Sequence, residues 1–523
     1  MKKSKLRFAN LLLAAVIGMS VFTACGSSPD SVSTEVKPAP SQNGDSAEKR
    51  EDLVVCMQED LATLDPINTS AIVTQAAHKL IYARLYVEDE NYQPVPQLAK
   101  EFNVISDTEI DIKIHEGALF SDGTPITAED VVYNLERALA SPNFNTLMKA
   151  VEKFEVIDET TFKIVTKGPA PSIKQALMHS GASILPKTYV EKAIADDDWS
   201  SPICSGPFKF DSRNVGESVK VVKNDNFFDK EDMAQCNSIT LKFVPEANSR
   251  TILVETGEAD VNFAFATADY ERAKKNSDLT VHETTGVVVQ YVGVDTTMAP
   301  FDNVKVRQAL NYAINREDVM AAVVEGLGTA AYTVIPPSVP GYLENPMGYT
   351  YDTEKAKSLL AEAGYADGFD TQLFAYNDLG KRTAEIVQAF LAEVGINAAI
   401  EVRDASVRVS TLANHQAPMF VGAWGAMSDA DLVLPRLFTQ EAIGGMNFTH
   451  YTNPKLDELF EKGRSTYDEA ERKGYYEECV KILAEAAPWC PMYTGKTFAL
   501  TRADLQGVQL DGECIINLHR LHY

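Results

Sequence analysis

Cysteine, histidine and tryptophan are scarce in this chain: seven, eight and three among 523 residues. No two cysteines form Cys-x-x-Cys, which leaves zinc ribbons and thioredoxin-type sites without support. The histidines are scattered. Their one tight pair, His519-x-x-His522, sits in an irregular tail, where a structural or merely exposed role outweighs metal binding. There is no Gly-x-Ser-x-Gly elbow, no His-Glu-x-x-His helix, no P-loop and no dinucleotide fingerprint. Lacking any catalytic or metal constellation, the chain reads as a non-enzyme with no cofactor. Positive charge is short as well. The 48 Lys and Arg face 74 Asp and Glu, a formal net charge of −26. Four of those cations, Lys2, Lys3, Lys5 and Arg7, lie in the leader, and their removal takes the charge from −26 to −30. A surface so acidic repels phosphate backbones, and no basic stripe interrupts it, which argues against nucleic-acid binding.

Long apolar runs are missing beyond the first 24 residues. The basic start is followed by Leu11-Leu12-Leu13-Ala14-Ala15-Val16-Ile17-Gly18-Met19, too short for a stable membrane span and read as a secretory signal over residues 1–24. Phe22-Thr23-Ala24-Cys25 resembles a bacterial lipobox, with Phe in place of the usual Leu. Cleavage there leaves a lipidated Cys25. Ordinary signal cleavage beside a bystander Cys25 is the plainer reading. Residues 25–50 are rich in Ser, Pro, Gly and charge without apolar periodicity, and are expected to form a flexible tether. Six cysteines remain: Cys56, Cys204, Cys236, Cys479, Cys490 and Cys514. An oxidising exterior permits disulfides, but their connectivity stays open, and Cys479 falls on an apolar helix face that suits a buried free thiol.

What is present is a long alternation of strands and helices. In residues 109–139, Ile110, Ile112 and Ile114 alternate with polar neighbours, the period of a half-buried strand. Ser121-Asp122-Gly123 makes a tight turn. Thr127, with Asp130 three residues on, caps a helix whose apolar face is Val131, Leu135, Ala138 and Leu139. Strands are also expected at 53–57, 154–166, 221–228, 239–244, 287–294, 396–402 and 491–500. Helices are expected at 72–86, 353–363, 383–394, 455–462 and 468–486, and another carries Val306, Leu310, Ala313 and Ile314 on one apolar face. Gly364 and Gly395 act as stops, and Asn453-Pro454 as a start. Such alternation, with strand-only patches, argues for α/β lobes built on mixed sheets.

The run Phe120-Ser121-Asp122-Gly123-Thr124-Pro125-Ile126-Thr127-Ala128-Glu129-Asp130-Val131 resembles the signature of extracellular solute-binding proteins that feed peptide and nickel ABC importers. So do Leu64-Asp65-Pro66, Cys204-Ser205-Gly206-Pro207-Phe208, Thr256-Gly257-Glu258-Ala259-Asp260 and Pro300-Phe301-Asp302 running into Val306-Arg307-Gln308-Ala309-Leu310. The resemblance covers about residues 53–500. It implies a periplasmic-binding-protein-like two-lobe fold with an extra third domain and a ligand cleft between lobes. It also implies a discontinuous first domain: 51–80, 201–284 and 491–523, with 81–200 as domain two and 285–490 as domain three. The two crossings into domain three then form the hinge.

The resemblance further implies that a loop opened by Trp424 walls the cleft. Many peptide-binding relatives carry Trp-x-x-Asp-x-x-Asp-Pro there, with the first Asp holding the ligand's amino group. Here Met427 stands near that position and Ala430 replaces the Pro, and Ser428-Asp429-Ala430-Asp431 is similar to relatives associated with glutathione and short peptides. Asp429 or Asp431 is then the candidate partner of a buried ammonium; capping of the loop by both carboxylates is the equal alternative. Lys381 and Arg382, after Asn377-Asp378-Leu379-Gly380, are candidates for a ligand carboxylate, with Arg403 and Arg408 as rivals. Tyr291 and Phe265 are candidate aromatic walls, with core packing the commoner fate, and Asp65 a candidate cleft-border residue or a turn residue before Pro66. The expected role is a monomeric, lipid-anchored receptor that captures peptide-like solutes and hands them to a permease with its ATPase subunits. A nickel or other metal-chelate receptor is the runner-up, and a secreted hydrolase or chaperone-like surface protein stands outside that class.

Overall fold

A computed structural model describes residues 50–523 apart from Ser70, Ala426, Met427 and 513–516. The signal segment, Cys25, the tether up to residue 49, Met427 and Cys514 lie outside the described residues. Two strands organise the rest. Leu279–Val294 has 16 residues and Trp489–Arg502 has 14, and they run antiparallel through the middle of an 11-stranded sheet. On one side of this pair the sheet continues through Val261–Asn262, Asp52–Met57, Ser238–Phe243, Ser218–Lys223 and Phe208–Asn214. On the other side it continues through Met419–Gly425, Phe369–Ala375 and Ile396–Val402, and the eleventh strand, Gly328–Ala330, pairs with Trp489–Arg502 off this path. Parallel and antiparallel pairings mix on both sides.

The register of the central pair shifts between Thr285 and Val289. Pairing runs without interruption from Leu279 opposite Arg502 to Thr285 opposite Lys496, and resumes at Val289 opposite Thr494. A Cβ on Gly286 would lie 2.7 Å from the Gly495 carbonyl oxygen, so the two backbones approach closely here only because glycine has no side chain. Thus each long strand belongs to one half-sheet up to this break and to the other beyond it.

A separate four-stranded antiparallel sheet has the order Ala99–Ser106, Glu109–Ile114, Thr161–Thr166, Val151–Val156. Ile110, Ile112 and Ile114 all point into its core, as their alternation predicts. Helix Ala128–Ala140 covers it, and its capping box closes both ways: Thr127 accepts from the Asp130 N–H, and Asp130 accepts from the Thr127 N–H. The molecule is therefore a two-lobe, mixed α/β fold with helices flanking its sheets. Separate apolar cores lie under the four-stranded sheet and under each part of the large sheet.

Several expectations shift. The strand expected at 221–228 is Ser218–Lys223 and ends before Asn224, whose side chain donates to the Gly206 carbonyl. The helix expected over 72–86 is Ile72–Ile81. Tyr82 turns extended because the Ile81 carbonyl accepts the N–H groups of Ser205 and Gly206, and Ser205 Oγ takes the Ala83 N–H, so tertiary partners replace the next helical turn. Residues Tyr86–Glu88 then form a strand with Pro94–Pro96. The helix expected from 383 starts at Asp378, because Asn377 accepts the Gly380 N–H at 2.7 Å and nucleates the turn ahead of the expected start. The strand expected at 287–294 begins at Leu279, since its first half is claimed by the neighbouring half-sheet. The thiols of Cys56, Cys204, Cys236, Cys479 and Cys490 are buried and unbridged. Among the described residues no helix is long and apolar enough to cross a membrane.

Candidate functional site

Where the four-stranded lobe faces the large sheet, a crevice encloses about 350 Å³ of empty space, part of it open to solvent. One wall is built by helix Ile72–Ile81, strand Tyr86–Glu88 and helix Ile173–Met178 with the turn after it. Gln75 and Lys79, four residues apart, share the helix face turned to the gap. Glu88 pairs with Lys79 and, at 2.8 Å, with Arg84. Burial alone would raise the Glu88 carboxyl, but Arg84 and Lys79 outweigh it and hold it well below the usual carboxylate range. Two cations thus share one carboxylate; Lys79 and Glu88 line the crevice, while Arg84 lies buried behind them and lines a neighbouring pocket with Asp232 and Arg520. Several buried polar atoms nearby have no hydrogen-bond partner: Arg84 Nε, Gln175 Oε1 and Ser180 Oγ. Unmet polar groups at a gap are suited to a polar guest, since leaving them unpaired costs about 1–3 kcal/mol each. Burial pushes the His179 imidazole down to about 3, so it faces the crevice neutral.

The opposite wall is the loop after strand Met419–Gly425, reached at Ser428. Trp424 is half-buried against the core beneath that strand. Asp429 is buried and bound end to end by Arg472, whose Nη1 meets Oδ2 and whose Nη2 meets Oδ1 at 2.6 Å. Desolvation would lower the Arg472 pKa, but Asp429 drives it above the ordinary arginine value. Asp429 also caps the short helix Ala430–Leu432 by accepting the Asp431 N–H at 2.8 Å. Asp431 meets Arg464 at 3.2 Å, and burial, only partly offset by Arg464, raises its pKa. Both expected ammonium partners are thus engaged by guanidiniums, and an incoming amine must share them.

A few polar bonds cross the gap. Gln175 Nε2 donates to Asp429 Oδ2 at 3.3 Å, Gln93 Nε2 to the carbonyls of Ser338 and Ser428 at 3.0 and 3.3 Å, and the Ala170 N–H to the Tyr467 hydroxyl at 3.1 Å.

The remaining candidates divide by environment. Lys381 and Arg382 are exposed in the first turns of helix Asp378–Glu393, with no ion-pair partner among the described residues. They follow the C-terminal end of strand Phe369–Ala375, which runs parallel to Met419–Gly425, so they share the Trp424 end of the sheet. The rival Arg403 is tied to Glu401 at 2.6 Å and lies over the Phe374 ring, while Arg408 lies over Phe448. Tyr291 is interior: it stacks on Trp489 at 3.5 Å and fills the space left by Gly422. Phe265 packs among Val254, Ala273 and Leu500. Both aromatics are buried in packed cores, and neither lines this crevice. Asp65 is buried, caps the turn Pro66–Asn68 and pairs with Arg137 at 2.9 Å. His519 is held by Asp232 at 3.0 Å and His522 turns to the Arg520 carbonyl, so the pair does not converge. Sequence reading missed Lys79, Arg84, Glu88 and Gln175; the one available signal was a Lys-x-x-x-x-Arg-x-x-x-Glu run in a stretch read as helix to 86.

Two lobes about a crossing pair of strands, with a polar crevice between them, define a ligand-capturing receptor. The family described as bacterial extracellular solute-binding proteins, family 5, matches residues 93–445. The glutathione-binding protein GsiB of Shigella flexneri serotype 5b is 31% identical over 474 residues, covering 87% of this chain and 91% of that protein. Among solved structures, HbpA2 from Haemophilus parasuis superposes with a TM-score of 0.85 at 25% identity, covering 90% of this chain and 99% of that one. A peptide-binding protein AppA from Clostridium difficile, described as putative, gives 0.77 at 26% identity, with 90% and 99% covered. The chain belongs to the family 5 bacterial extracellular solute-binding proteins.

Proposed function

We propose that this chain is the substrate-binding component of an ABC importer for short peptides or glutathione-like peptides, anchored at the membrane through a lipidated Cys25. The solute is held between the Lys79–Arg84–Glu88 wall and the Trp424–Asp431 loop. Lobe closure, favoured by the ligand's higher affinity for the closed form, then presents it to a permease. The observation that carries this reading is the crevice wall in which two cations share one carboxylate beside unmet polar atoms, which suits a guest bearing a carboxylate and amide groups. Similarity to GsiB, a glutathione-binding protein, supports the same class of solute. Lys381 and Arg382 are a second carboxylate contact within this proposal. The domain division at 51–80, 201–284 and 491–523, 81–200, and 285–490 belongs to it too, with the register break near Gly286 and Gly495 as hinge.

Thermal-shift screening against dipeptides, oligopeptides, glutathione and nickel–histidine tests the solute. The true ligand raises the melting temperature in step with RT ln(1 + [L]/Kd). Lys79→Met diminishes that response for a carboxylate ligand. If Asp429→Ala and Asp431→Ala both leave the response to an amine-bearing ligand unchanged, those two residues drop out of the site. A response to nickel–histidine alone replaces the peptide reading by the chelate one. Release of the Cys25→Ser protein from the membrane fraction tests the anchor.

A further inference from the structure

At the far end of the large sheet from the Trp424 loop, three side chains converge that lie apart in sequence: Asp295, His415 and His450. Val289 stands opposite Trp424 and Val294 opposite Met419, so Asp295 lies roughly 20 Å from Trp424 along the strand. The site is therefore separate from the crevice. Asp295 is buried, and its orientation is fixed twice over. Its Oδ1 accepts the Thr297 N–H at 3.0 Å and the Thr297 hydroxyl at 2.6 Å. Its backbone N–H donates to the Pro418 carbonyl, and the next N–H donates to that of Thr449, which binds together the loops that carry the two histidines. Oδ2 is hydrogen-bonded to His415 Nδ1 at 2.8 Å, a nitrogen that also stands 3.2 Å from the Thr297 hydroxyl, and it faces His450 Nδ1 at 3.0 Å.

Two further observations separate this cluster from an ordinary hydrogen-bonded hub. His450 is buried, yet neither ring nitrogen has a hydrogen-bond partner; Nδ1 is near Oδ2 without the alignment a hydrogen bond needs. A buried imidazole whose nitrogens have no aligned partner can accept a further one. Both histidines also hold left-handed backbones, φ +54 for His415 and +52 for His450, conformations that L residues retain where surrounding structure or function demands them. His415 is half exposed, its side chain 47% accessible, and gives solvent ions access to the cluster.

We propose that Asp295, His415 and His450 bind a divalent first-row transition metal, with Zn²⁺ the fitting ion. Two imidazoles and one carboxylate supply three of four tetrahedral positions, and the exposed side of His415 leaves the fourth to water. Donor atoms around such an ion stand roughly 3.3 Å apart at bond lengths of about 2.0–2.2 Å. The His415 and His450 rings are stacked, centroids 3.6 Å apart and 20° from parallel, so besides a small opening of the Nδ1–Oδ2 spacings the exposed His415 ring must turn to aim its lone pair at the ion. The ion clips three loops at the distal end of this lobe. The metal site stands whatever the solute in the crevice.

Titration of the full chain, stripped with chelator, by Zn²⁺ in a calorimeter and by Co²⁺ in the visible spectrum tests it. The expected result is one equivalent bound, with the Co²⁺ absorption bands of a low-symmetry nitrogen–oxygen site. His415→Ala, an exposed position that spares the fold, and His450→Ala each weaken binding at least tenfold. His519→Ala leaves it unchanged. Absence of saturable one-to-one binding overturns the proposal. So does binding that survives both His415→Ala and Asp295→Asn, or a loss in His519→Ala equal to that in His415→Ala.

Discussion

The two walls of the crevice treat their buried charges in opposite ways. On the Trp424 side, Asp429 and Asp431 are matched one to one by Arg472 and Arg464, and Asp429 also caps a helix. Arg464 also meets Glu461 at 2.7 Å, so the carboxylates of that wall have their cations in place and no positive charge is spare. On the helix Ile72–Ile81 side, one carboxylate serves two cations, and Arg84 Nε, Gln175 Oε1 and Ser180 Oγ wait for partners. The difference teaches that a conspicuous carboxylate is not by itself a binding group. A charge already paired and buried holds architecture, while a surplus charge beside unmet hydrogen-bond groups is available to a guest.

The sharpest break of this comparison is Arg472→Ala. It leaves Asp429 charged and buried alone, and unfolding in urea should show a loss of about 3–5 kcal/mol. Adding Asp429→Asn should return part of it. Glu88→Gln comes next: the amide keeps the shape but not the charge, and a loss of about 2–3 kcal/mol is expected, from charged hydrogen bonds weakened to neutral ones. The same variant should strengthen binding of an anionic solute relative to a neutral one, because Lys79 and Arg84 lose their internal counterion. Gly286→Ala follows, with about 1–3 kcal/mol expected from forcing a Cβ against the Gly495 carbonyl at 2.7 Å.

The walls also differ in the sign of their pH dependence. Glu88 is depressed in the folded state, so its contribution is complete above the ordinary value of 4.5 and is lost as pH falls through the lower folded value. Asp431 is raised, so the stabilisation from its protonated form is present below the ordinary value of 3.8 and is lost as pH rises through the folded value. Stability measured from about pH 3 to 7 should therefore lose steepness on its acid side in Glu88→Gln, and should fall less with rising pH in Asp431→Asn. The smallest effect concerns the thiols. Burial pushes Cys204, Cys236 and Cys479 up to about 12 and Cys56 to about 11. Native protein should leave these thiols unlabelled by a thiol reagent at about pH 8, and urea should expose them.

Local physics was legible wherever it sufficed. The alternating isoleucines of Glu109–Ile114 and the Thr127–Asp130 box were readable because strand period and helix capping depend on residues within one turn of each other. The helix end at Ile81 was not, because Ser205 and Gly206, far along the chain, supply the bonds that stop it. Of the candidate site, the loop after Trp424 was marked by motif, but the fate of its carboxylates was decided by Arg464 and Arg472 on other helices.

Spacing and residue type along the chain were enough for the family signature and for the elements whose period and caps are local. Tertiary structure alone decided which charges are spent and which are spare. It also decided that Asp295, His415 and His450 meet, because pairing energies depend on distance in space, and chain order does not encode which loops a sheet will bring to one end.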